Sequence, residues 1–141
     1  MSVLTQTFLT LVCSHFMTFS FLSAWHNFKN LKESLLGDIK NKLALDVLTT
    51  FVNVLIDATS DKETSMFAHL ILNEDGKGSF RDTLTKVLKQ GQKEGEVLGG
   101  KPEDLANLFI YFFKGLYYKN MTSKKAIEVP SKDVVMYLFK K

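Results

Sequence analysis

The segment from Gly91 to Tyr118 constrains the fold of this chain more than any other stretch. Gly91-Gln92-Lys93-Glu94-Gly95-Glu96-Val97 has the form of a helix closing on glycine, because Gly95 tolerates the left-handed backbone that ends helices. Pro102-Glu103-Asp104-Leu105-Ala106 then starts another helix. Proline in the first turn lacks only an N–H that would be unpaired anyway, and the two carboxylates complement the positive end of the helix dipole. The helix that follows is apolar on two stripes. Leu105, Phe109, Phe112 and Leu116 form one; Leu108, Tyr111, Gly115 and Tyr118 form the other, with Phe113 between them. A stripe wider than one core contact needs implies burial on a second side, so this helix is expected to pack against something besides its own domain. Gly115 in the helix interior costs about 1 kcal/mol relative to alanine, which close approach of another backbone would offset. The expected neighbour is a second copy of the chain. The expected dimer interface is Leu108, Tyr111, Gly115 and Tyr118, joined by Val135 and Leu138 from a final helix, Ser131 to Lys141, whose apolar face is Val134, Val135, Leu138 and Phe139.

The spacing elsewhere is also helical. Leu31, Leu35, Leu36, Ile39 and Leu43 recur at three- and four-residue steps opposite Lys32, Glu33, Lys40 and Lys42. Leu45, Leu48, Phe51, Val52, Leu55 and Ile56 mark a second helix, ending near Ala58-Thr59-Ser60. A third starts at Ser60 or Asp61, where Ser60 and Glu63 have capping-box spacing, and continues through Met66, Phe67, Leu70 and Ile71. Asn73-Glu74-Asp75-Gly76-Lys77-Gly78 is a turn by composition. Ser79 is the candidate cap of the next helix, with Phe80, Leu84, Val87 and Leu88 on its buried stripe. The alternation that strands require is scarcely present. The expected class is all-α: a helical bundle of about five to seven helices with no sheet.

Length and composition limit what such a bundle does. The 141 residues fit one domain, and 45% hydrophobic with 23% charged content describes a folded, soluble chain. A net charge of +3, from eighteen basic and fifteen acidic residues, is too small to indicate a polyanion-binding surface. The single cysteine, Cys13, excludes an internal disulfide and a thiolate metal cluster, suiting a reducing, cytoplasmic setting. The first 28 residues lack Asp, Glu, Lys and Arg, yet polar residues interrupt them and no apolar run of about twenty residues develops, so a membrane span is not expected.

Enzyme chemistry finds little to work with. His15, His26 and His69 are the only imidazoles, and Cys13 and His15, two residues apart, fall on different faces of a helix. There is no His-Glu-x-x-His, no cysteine pair and no glycine-rich phosphate loop, so no cofactor and no metal are expected. His69, beside Phe67 and Leu70, fits an interior histidine, a ligand's hydrogen-bond partner or, more remotely, a metal ligand. Twelve phenylalanines favour recognition instead: large rings on crossing helices leave room for an apolar or aromatic small molecule. The expected lining is Phe51, Leu55, Phe67, His69, Leu70, Phe80, Leu84, Phe109 and Phe112, any of which also serves as ordinary core.

The Gly-Gln-x-x-Gly-Glu and Pro-Glu-Asp-Leu-Ala motifs, in that order, resemble the end of the sensor half of tetracycline-repressor-type (TetR family) transcriptional regulators. Trp25-His26-Asn27-Phe28-Lys29-Asn30-Leu31-Lys32-Glu33-Ser34-Leu35-Leu36 looks like the junction between a helix-turn-helix head and a long linking helix in that family. The resemblance covers residues 25 to 141. It implies a truncated or degenerate head over residues 1–30 and a ligand-sensing, dimer-forming domain over residues 31–141. It also implies a homodimer, a small apolar or aromatic effector, and a ligand-driven shift of Leu31 to Leu43. On that alignment the family's Ala-Gly-Val-Ser turn falls on Met17-Thr18-Phe19-Ser20, without its glycine, and the recognition helix falls on Phe21-Leu22-Ser23-Ala24, without a cation. DNA-facing candidates reduce to Ser23, Trp25, Lys29 and Lys32. A headless partner of an intact regulator, or a helical module associated with membranes through residues 3 to 25, are the alternative expectations.

Overall fold

Apolar residues at three- and four-residue steps shape residues 43–141, the part of the chain that the structure, a computed structural model, describes. They form five α-helices: α1 (Ala44–Asp57), α2 (Lys62–Leu72), α3 (Phe80–Lys93), α4 (Pro102–Thr122) and α5 (Lys132–Met136). A 3-10 turn, Ala58–Ser60, joins α1 to α2. There is no sheet among the described residues; Val97 and Lys140 make one isolated antiparallel bridge. The expectations for residues 1–30, for the linking helix up to Lys42, and for Cys13, His15, Ser23, Trp25, His26, Lys29 and Lys32 lie outside the described residues.

Local chemistry sets most helix ends. The Ser79 hydroxyl accepts the Asp82 N–H at 3.1 Å, while the Asp82 carboxylate accepts the Gly78 N–H at 2.9 Å, so cap and first turn brace each other. That backbone donor, with Lys86 beside it, holds the half-buried Asp82 carboxyl below its usual pKa. Gly95 takes a φ of 77° just past α3, as its position suggests. Helix α2 departs from expectation. Asp61, not Ser60, is its N-cap, accepting the Thr64 N–H at 2.7 Å, and no Ser60–Glu63 capping box forms. The reason is the 3-10 turn, which takes in Ser60 and leaves Asp61 as the first extended residue (φ −147°, ψ 163°).

The final helix is shorter than expected. It stops at Met136 because the tail backbone is used elsewhere: the Leu98 N–H donates to the Phe139 carbonyl at 2.8 Å and the Lys141 N–H to the Glu96 carbonyl at 2.9 Å. This pinning turns Val135 and Phe139 into the core, at 1% and 0% exposure. Val135 is therefore a core residue of the monomer and not part of an outer face, whereas Leu138 and Val134 remain exposed.

The core is largely aromatic. Phe51 meets Phe80 edge-on at 5.2 Å; Phe80, Phe109, Phe113 and Tyr117 follow in sequence, and Phe139 joins Phe109 at 5.2 Å. Helix α4 packs against α2 and α3, and α1 against α3 and α5. The buried stripe of α4 is Ala106, Phe109, Ile110, Phe113, Tyr117 and Asn120. This is rotated from the expected Leu105, Phe109, Phe112 and Leu116, of which only Phe109 is fully buried.

Candidate functional site

The outward side of α4 is the most distinctive surface of the domain. Asp104, Leu108, Tyr111, Gly115, Tyr118 and Thr122 are all exposed, and the large apolar members stand well clear of the bundle: Leu108 at 46%, Tyr111 at 61% and Tyr118 at 63%. Isolated exposed apolar residues are ordinary, but a file of them along one helix is not. Gly115 belongs to the same file. A Cβ built there meets nothing within 4 Å among the described residues, so these give no packing reason for glycine. On the flank of the file, Asn107 has its Oδ1 buried without a hydrogen-bond partner. Val134, Tyr137 and Leu138 add a second exposed apolar group, at 56%, 73% and 38%.

The nine expected ligand-lining residues do not share one wall. Phe51, Leu55, Phe67, Phe80, Leu84 and Phe109 are fully or almost fully buried, and the Phe51, Phe80 and Phe109 rings pack on one another. Phe112 is half-buried with its ring edge-on to Phe113 at 5.1 Å, and His69 and Leu70 are half-buried on α2. His69 Nδ1 lies 3.2 Å from the Asn73 amide nitrogen. Burial, and next the Lys114 charge, lower its pKa from 6.5, favouring the neutral imidazole. No group of three or more His, Cys, Asp or Glu among the described residues is placed to hold a metal ion. No helix among them is long and apolar enough to cross a membrane.

The glycine motif after α3 acquires a physical role. A Cβ on Gly91 would sit 2.3 Å from Val97 Cγ2 and 3.5 Å from the Ala44 Cβ, so bare backbone is what lets the chain fold back there. The Glu94 carboxylate takes the Ala44 N–H at 2.9 Å and the Gln90 amide at 3.2 Å, capping α1 across fifty residues of sequence. Gln92 donates to the Leu98 and Gly100 carbonyls at 2.9 and 3.0 Å. The motif thus holds the start of α1, the end of α3 and the loop to α4 together.

A second polar cluster was not anticipated. The Tyr117 hydroxyl donates to the Leu55 carbonyl at 2.5 Å, Ser65 to Ala58 at 3.0 Å, and the Asn120 amide to Thr59 at 3.1 Å and to Ser65 Oγ at 2.8 Å. Burial pushes the Tyr117 hydroxyl well above the usual tyrosine pKa, consistent with a permanent donor. The available signal was the spacing of Phe113, Tyr117 and Asn120, which puts polar groups on the inner stripe. Comparison with family models, with curated proteins and with solved structures gives no match for this chain.

Proposed function

We propose that this chain is the sensing and self-pairing portion of a TetR-type transcriptional regulator, working in the cytoplasm as a homodimer joined through α4. The observation that carries this reading is the exposed file Leu108, Tyr111, Gly115 and Tyr118 on a helix whose opposite side is fully used by the core. Apolar surface of this kind is stabilised when a second protein removes it from water, at about 25 cal/mol per Å². The Gly-Gln-x-x-Gly-Glu and Pro-Glu-Asp-Leu-Ala resemblance supplies the regulator class. On this reading an apolar or aromatic effector enters among the aromatic side chains by parting helices, and its binding is read at the Glu94–Ala44 contact, at the start of the helix that follows the Leu31 to Leu43 segment in sequence.

Sedimentation equilibrium tests the pairing: the expected particle has twice the 16.0 kDa chain mass at micromolar concentration, falling to the single mass in Leu108→Glu with helical content retained. A concentration-independent single mass for the unaltered chain refutes it. A second reading, a headless partner that silences an intact regulator, is favoured by the cation-free Phe21-Leu22-Ser23-Ala24 segment. A gel shift with duplex DNA at low and moderate salt separates the two, because a steep salt dependence requires phosphate contacts.

A further inference from the structure

The exposed positions 104, 108, 111, 115, 118 and 122 of α4 follow four-three-four-three-four spacing, the seam of a helix that pairs with another helix. The seam is symmetric about residue 113. Reversing the helix direction exchanges 111 with 115, 108 with 118 and 104 with 122, so at its centre the file read backwards presents a large side chain where the forward file has a small one. Tyr111 meets Gly115, and Leu108 meets Tyr118. Glycine in a helix interior is intrinsically unfavourable, its φ here is not positive, and no neighbour among the described residues crowds it. A ring arriving from outside gives it a purpose.

Charge sets the direction. The first turn carries Glu103 and Asp104, the next charges are Lys114 and Lys119, and Lys124 and Lys125 follow, with no acidic residue between Asp104 and Glu128. The helix is thus acidic at its start and basic at its finish, and head-to-tail pairing also sets the two helix dipoles in opposition. In-register parallel pairing would instead stack Tyr111 on Tyr111 and Lys119 on Lys119, and leave a gap between two glycines.

We infer that two copies of this chain pair antiparallel along α4, with the twofold axis beside Phe113. Each Tyr111 ring lies over the partner's Gly115, each Leu108 packs on the partner's Tyr118, and Glu103 and Asp104 face the basic end of the partner helix. This rests on the self-pairing proposed above and adds its direction and register.

Disulfide trapping tests it. In a Cys13→Ser background, Leu108→Cys and Tyr118→Cys chains are mixed and oxidised. Antiparallel pairing yields the mixed 108–118 disulfide and little of either homodisulfide, because residues 108 and 118 lie about 15 Å apart along a helix axis and each is remote from its own copy. Homodisulfides, or no disulfide from a chain that sediments as a dimer, overturn the register and leave self-pairing standing. A monomeric unaltered chain overturns both. Independently, Gly115→Leu should weaken the dimer at least about tenfold by occupying the tyrosine's seat, and Gly115→Leu combined with Tyr111→Ala should recover most of the loss. Unchanged dimerisation of Gly115→Leu, or failure of the second substitution to restore it, overturns the seat.

Discussion

Two glycines within helices behave in opposite ways because their surroundings differ. Gly91 faces Val97 Cγ2 at a distance no Cβ survives, so Gly91→Ala is expected to destabilise the domain by about 1–3 kcal/mol despite alanine's better helix propensity. Gly115 faces open space, so Gly115→Ala in a Leu108→Glu background is expected to stabilise the chain by about 1 kcal/mol. Urea denaturation of the pair checks both signs. Single-residue electrostatics give a further expectation at His69, whose folded pKa lies below 6.5 because burial and Lys114 oppose its charge. As pH falls through 6.5 the unfolded chain takes up this proton before the folded chain does, so unfolding is favoured and stability drops until the folded imidazole also titrates. Denaturation midpoints across this range should fall less steeply in His69→Gln.

Elements were legible in the sequence where their ends are written in local chemistry and illegible where distant chain decides. Ser79, Gly95 and Pro102 each announced a boundary within a few residues of itself, and the structure uses all three. Ser60 and Glu63 matched a capping pattern, but a 3-10 turn passes the role to Asp61. The last helix was overextended because Phe139 and Lys141 give their backbone to residues 98 and 96, pairings that no local pattern encodes. Helix α4 is apolar nearly all round, so hydrophobicity located its outer file, Leu108, Tyr111 and Tyr118, while misplacing its inner one by about one position. Of the expected lining, Phe80 and Leu84 were read on a buried stripe and are buried, but whether crossing rings leave a cavity depends on helix angles that spacing does not set. The start of α1 is another non-local matter: lacking a side-chain cap of its own, it borrows Glu94. Glu94→Ala should therefore loosen the first turn of α1 and cost about 1 kcal/mol, seen as a lower urea midpoint and faster amide exchange at residues 44–47.

At the scale of the whole molecule, one continuous aromatic core leaves α4 serving two masters, its inner stripe committed to the bundle and its outer file available to a partner. Substitutions on the outer file should alter mass without altering fold, and Leu108→Glu is expected to lower the sedimenting mass while leaving the circular dichroism spectrum and urea midpoint of the monomer unchanged. The two ends of α1 are anchored unequally. Among the described residues, Tyr117, Ser65 and Asn120, drawn from two other helices, hold the carbonyls of Leu55, Ala58 and Thr59, whereas the Glu94 carboxylate holds the opposite end. Loosening of α1 from its Glu94 end would consequently uncover Ala44, Val47 and Leu48 first and reach Phe51 only in the third turn, with the Leu55 clasp still closed, so that end and the aromatic interior are coupled through the inner side chains of one helix.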